Sequence, residues 1–240
     1  MSEENRSKIN LELCPKGAGW AYVYLTVNGE RHTFTISTVL GYEFNALLEG
    51  LYYMNPNVED TLDSDFCPHC QIFDYIFRVG EMDGTTSYEV ETLEEGYKKI
   101  GRNYGICVDA IPYKIEFTWM DEPGGTKWVI ERPKNYEPVF DLKIHIETDS
   151  NGEEEKIDFK ISYKEFCYAV AKAATEALKK HGLLGYHKSI FYADMNLRCL
   201  LRLKAYALDC EEEIAVKNYT ETEGDISSLE AEFRLLMKDM

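Results

Sequence analysis

Positive charge is scarce in this 240-residue chain: 26 lysines and arginines face 43 aspartates and glutamates, a net charge of −17. Sequence-independent binding to nucleic acid or anionic lipid needs clustered cations that release counterions or meet headgroups. The charge balance argues against both kinds of partner. Long apolar runs are missing too, and no stretch approaches the roughly 18 apolar residues of a membrane-spanning helix. Met1–Arg6 lacks an apolar core, so no secretion signal is expected there. No Gly-x-x-x-x-Gly-Lys-Ser/Thr phosphate loop occurs, and no Ser/His/Asp grouping can be argued. Gly17-Ala18-Gly19 precedes a strand-like run instead of following one, which excludes a dinucleotide loop. The cysteines (Cys14, Cys67, Cys70, Cys107, Cys167, Cys199, Cys210) are odd in number and scattered. They predict reduced thiols in a cytosolic setting, not a disulfide framework.

What is present is enough apolar material for a core: 45% of residues are hydrophobic and 13% aromatic. Residues 8–19 read as a short strand in which Ile9, Leu11 and Leu13 alternate, ending at Cys14-Pro15 and the glycines Gly17 and Gly19. Ala21–Val27 is rich in β-branched and aromatic residues, and Asn28-Gly29 is the pair favoured in a tight type I′ hairpin. The return strand, residues 30–37, places His32, Phe34 and Ile36 on one face. Phe44, Leu47, Leu48 and Leu51 then recur at helical spacing over residues 42–54.

A similar order recurs about 120 residues later. Residues 141–146 and 155–161 read as strands around Asn151-Gly152. Ser162-Tyr163-Lys164-Glu165 reads as a capping box opening a helix that His181-Gly182 closes. The parallel raises an internal duplication of a hairpin–helix unit. Further strands are expected at residues 72–79, 86–90, 113–120 and 126–132, and a short helix at 93–100. Residues 189–208 fit either period, with length favouring helix, and Ser227 opens a second capping box. Strands and helices come in blocks, which predicts an α+β fold of antiparallel hairpins packed on two to three helices. The prolines at 133 and 138 divide the chain into residues 1–135 and 136–240, as two units or one continuous domain.

The sharpest local motif is Cys67-Pro68-His69-Cys70. In a Cys-x-x-Cys pair one thiolate attacks and the second resolves. The four residues resemble the active-site motif of DsbA-type thiol oxidoreductases of the thioredoxin fold. That resemblance implies Cys67 as nucleophile, Cys70 as resolving thiol and Pro112 as the cis-proline. The flanks depart from the family: residues 58–65 form an acidic run where a buried strand is required, and only nine residues separate the motif from Gly80. Cys67, His69 and Cys70 are also candidate zinc ligands, but no second pair completes a four-ligand site.

Three segments carry nearly all of the excess charge. Residues 59–65 have four acids and no base, residues 147–158 six acids and one base, and residues 209–240 ten acids and three bases. Candidate partner-binding residues are therefore Glu59, Asp60, Asp63, Asp65, Glu153, Glu154, Glu155, Glu211, Glu212 and Glu213. If they converged on one surface they would steer a basic protein partner. The expectation is a non-enzymatic, cytoplasmic interaction protein, in its most concrete form an inhibitor or immunity-type protein. The alternative is a thiol-disulfide or zinc-dependent activity at Cys67–Cys70.

Overall fold

Alternation of apolar and polar residues builds two antiparallel sheets. A computed structural model describes residues 6–37, 43–55, 86–92, 110–121, 124–133, 139–150, 153–190, 194–215, 217–218 and 225–240. The first sheet has the order β1 (Ile9–Gly17), β2 (Trp20–Val27), β3 (Glu30–Ser37). Asn28 and Gly29 both take positive φ, at 52° and 92°, as a type I′ turn requires. β1 closes within the expected span, with Pro15 paired to Ala21 and Gly17 to Trp20 across a register shift. A proline is tolerated there because β1 is an edge strand.

The second sheet is a five-stranded meander of β4 (Thr86–Thr92), β5 (Ala110–Asp121), β6 (Gly124–Glu131), β7 (Asp141–Ser150) and β8 (Glu153–Ser162), in that order. β6 and β7 pair directly, Ile130 opposite Ile144, so one sheet spans both sides of residues 132–138. The expected strand at 72–79 and helix at 93–100 lie outside the described residues.

Among the described residues four helices accompany the sheets: α1 (Glu43–Met54), α2 (Tyr163–Ser189), α3 (Leu197–Ala207) and α4 (Leu229–Met237). A 3-10 turn at Glu211–Ile214 and the two-residue pair β9 (Lys217–Asn218) and β10 (Asp225–Ile226) lie between α3 and α4. Ser162 caps α2 as expected, its Oγ accepting from Glu165 N at 3.2 Å, while the Glu165 carboxylate accepts from the same hydroxyl at 2.5 Å. Gly182, at φ 68° and ψ 165°, interrupts the helix as its sequence position foretold, but helical structure resumes and reaches Ser189. Residues 197–207 are helical, their apolar face (Leu200, Leu203, Ala207) buried. The cap of α4 is Ser228, one residue later than expected, accepting from Ala231 N.

The inner faces of the sheets meet through aromatic rings. Phe34 of β3 stands edge-on to Trp119 of β5 and Trp128 of β6, with centroids 6.1 and 5.8 Å away. All three are essentially inaccessible to solvent. α1 lies on β5 so closely that a Cβ on Gly50 would fall 2.7 Å from Ile115 Cδ1. α2 runs along β1 and covers that edge, while Ser7 N donates to Lys160 O at 2.8 Å, tying the entrance of β1 to β8. The architecture is α+β. A duplication is not confirmed: β2–β3 belong to one sheet and β7–β8 to the other, and their helices, of 12 and 27 residues, pack on different strands.

Candidate functional site

The two described acidic segments fall at separate places. In 147–158 several charges are compensated across the outer face of the second sheet. His145 Nδ1 meets Asp158 at 2.7 Å and Nε2 meets Glu147 at 3.2 Å, while Lys156 reaches Glu147 at 2.8 Å. These carboxylates raise the His145 pKa, Asp158 most and Glu147 next. Glu155 projects from the inner face of the hairpin and meets the buried His32 at 2.7 Å, bridging the sheets. At the tip, Asp149 sits directly opposite Glu154 in the ladder, both exposed and without a described ion pair. Like charges facing across a ladder are destabilising. Glu153 pairs in register with Ser150.

The other described acidic segment is built on α3. That helix ends at Leu208, and Asp209 takes a left-handed φ of 53°, a conformation aspartate tolerates at a helix terminus. Asp209 contacts Lys164 at 2.5 Å. Glu211, Glu212 and Glu213 follow in the 3-10 turn, all exposed and in no described ion pair. Lys164 stands two residues beyond the end of β8, whereas Glu153–Glu155 begin that strand. At about 3.3 Å per residue, the strand end beside Lys164 and its partner Asp209 lies on the order of 25 Å from Glu153–Glu155. The two acidic groups do not merge into one patch. Glu59, Asp60, Asp63 and Asp65 lie outside the described residues, as do Cys67, His69 and Cys70. Pro112 sits inside β5, opposite Val90.

Beside the acidic turn is an apolar feature that sequence reading did not single out. Ala205, Cys210, Ile214 and Leu235 form a small second core joining α3, the turn and α4. With Leu235 and Leu236 turned inward, Leu229, Phe233 and Met237 (i, i+4, i+8) form a stripe on the outside, 65%, 52% and 61% exposed. The sequence shows Leu229, Phe233 and Met237 at helical spacing, but only the packing of α4 turns that stripe outward.

A buried lysine anchors this helix. Lys204 Nζ, fully inaccessible, donates to Leu236 O at 3.1 Å, Lys238 O at 2.6 Å and Thr175 Oγ1 at 3.3 Å. Its three protons meet three acceptors, two of them carbonyls at the C-terminal end of α4, where a cation suits the helix dipole. Burial, followed by the nearby Lys179, lowers its pKa to about 8. A second polar knot fixes α1 to the start of α3. Asn45 donates to Asp194 O at 2.8 Å and accepts from Asn196 N at 2.9 Å, and Asn196 Nδ2 reaches Glu49 at 2.7 Å. Burial raises the Glu49 pKa against the lowering effects of Asn196 and Arg198.

Among the described residues no group of three or more His, Cys, Asp or Glu side chains is placed to hold a metal. Cys167, Cys199 and Cys210 are buried thiols, and burial pushes the Cys167 pKa far up, which suppresses thiolate chemistry. No helix is long and apolar enough to cross a membrane among the described residues. Comparisons with protein-family models, curated proteins and solved structures found no match.

Proposed function

We propose that this chain is a non-enzymatic interaction protein that engages a basic protein surface through α4 and the adjoining acidic turn. The observation that carries the reading is the exposed Leu229–Phe233–Met237 stripe on α4, a helix whose Leu235 packs against the turn that bears Glu211, Glu212 and Glu213. Apolar side chains supply the desolvated centre of an interface and surrounding charges set partner and orientation. Unpaired glutamates select a cationic rim, and Lys204 holds the stripe in one orientation before any partner arrives. An inhibitor or immunity-type protein directed at a basic effector is the most concrete version. The acidic β7–β8 tip is a second, separate contact point for the same kind of charge.

The test is capture from native lysate on the immobilised chain at low and high salt, followed by repurification of retained basic proteins. Binding is then compared with two variants, Phe233→Ser and the triple Glu211→Gln/Glu212→Gln/Glu213→Gln. Phe233→Ser should speed dissociation, and the triple variant should slow association and flatten the salt dependence. A basic protein that binds both variants as it binds the parent would refute the assignment, as would capture of none.

A further inference from the structure

The scarce cations are not spread evenly. A cleft of about 610 Å³ between the approach to β1 and the first turns of α2 is lined by Arg6, Lys8, Lys164 and Lys172, with Glu165 its sole carboxylate side chain. In a chain where acids outnumber bases 43 to 26, the lining side chains count four cations and one acid, with Asp141, Asp209 and Glu176 paired to three of those cations from just outside it. They arrive from distant parts of the chain: Arg6 and Lys8 precede β1, whereas Lys164 and Lys172 stand two turns apart on one face of α2. The one acid is occupied, since Glu165 accepts from the Ser162 hydroxyl at 2.5 Å. Ile161, Ala169 and Ala207 are buried in the wall, and the half-buried Tyr168 offers a ring. Ser7 and Asn10 add polar groups at the entrance to β1.

We propose that this cleft binds a small organic polyanion of the nucleoside diphosphate class, its phosphates among the cations and its flat body against Tyr168 and the apolar wall. The volume is that of a small-molecule site, lying within the usual range of about 300–1,000 Å³. Lys8 has no described ion pair and is exposed. The other cations hold exchangeable partners: Lys164 has Asp209, itself 80% exposed, and Lys172 has Glu176 at 3.5 Å and the Met240 carbonyl oxygen at 3.1 Å. Such exposed pairs are weak, so a phosphate making charge-assisted bonds displaces them readily. Arg6 is held more firmly, its Nε 2.9 Å from Asp141, a carboxylate that Lys160 also contacts. It therefore fixes the mouth of the cleft while the lysines adapt. Extended nucleic acid is a poor occupant, because anything longer than the cleft meets the acidic turn beyond Asp209.

Calorimetric titration of the full chain with ADP, inorganic pyrophosphate and adenosine tests the assignment. ADP should bind with a Kd below about 1 mM, pyrophosphate more weakly and adenosine most weakly. The double variant Lys8→Gln/Lys164→Gln should weaken ADP binding at least about tenfold, a change of about 1.4 kcal/mol. Lys127→Gln, on the outer face of the second sheet, should leave it unchanged, with circular dichroism confirming that each variant is folded. Tyr168→Leu should reduce ADP affinity to that of pyrophosphate. No ADP binding, binding indifferent to the lysine pair, or pyrophosphate binding as tightly as ADP to the parent chain would overturn the proposal.

Discussion

Replacing Phe34 by alanine tests the joint between the two sheets. The ring is 1% exposed and stands edge-on to Trp119 and Trp128, which lie 4.7 Å apart by ring centroid. Truncating a buried Phe to Ala costs about 3–5 kcal/mol through lost transfer energy and the cavity left behind. Each aromatic pair contributes roughly 0.5–1.5 kcal/mol beyond area burial, which places this site toward the upper half of that range. For a domain of this size, an unfolding entropy of about 2.1 cal/mol/K per residue converts 4 kcal/mol into a fall in Tm of about 8 °C. Phe34→Leu keeps most of the apolar volume and should lose about 1–2 kcal/mol, chiefly the ring pairs. Urea unfolding followed by tryptophan fluorescence gives both values, and near-UV circular dichroism reports on the tryptophan pair. A loss below about 1.5 kcal/mol for Phe34→Ala, with an unchanged near-UV spectrum, would show that the sheets do not pack through this ring.

Lys204 has a folded pKa of about 8 against an ordinary 10.5, so the folded state releases its proton first and gains stability as pH rises between those values. Relative to Lys204→Met, the parent should gain up to about 3 kcal/mol in urea unfolding across that window, and a flat difference would remove the buried ammonium from the account. Proton NMR should place the His145 pKa above the ordinary value, with Asp158→Asn moving it down. The associated stabilisation is present below the unfolded histidine pKa and lost as pH rises through the folded one; an unmoved titration would exclude the Asp158 contact. Glu49→Gln keeps an acceptor for Asn196 while removing a carboxylate whose charge burial disfavours, so stability at neutral pH should stay within about 1 kcal/mol of the parent. A larger loss in thermal unfolding would assign the ionised carboxylate a structural role.

Period-two alternation was enough to place His32, Phe34 and Ile36 on a buried face, and period 3.6 placed Phe44, Leu47, Leu48 and Leu51 likewise. Those patterns were legible because each element turns one face to a core and one to water. Residues 189–208 were ambiguous because Leu197, Leu201 and Ala205 satisfy both periods. Only the neighbours of α3, with Asn196 capping Cys199 N, settle the choice. Both candidate sites were harder to see. The cations of the cleft are separated by more than 150 residues between Lys8 and Lys164, and no local motif brings them together. The acidic runs were obvious as composition, but their separation depends on the length of β8, which sequence alone does not orient.

The cover that α2 provides for β1 also constrains the order in which the molecule is made. During synthesis the first sheet emerges with its β1 edge bare, because the covering helix begins only at Tyr163. At about 5–20 residues per second, the ribosome takes roughly 8–30 s to supply the missing segment. An uncovered strand edge invites pairing with other chains. At the far end of that edge Pro15, which has no amide proton to donate, and the register shift beside it interrupt the regular ladder a neighbouring strand would need.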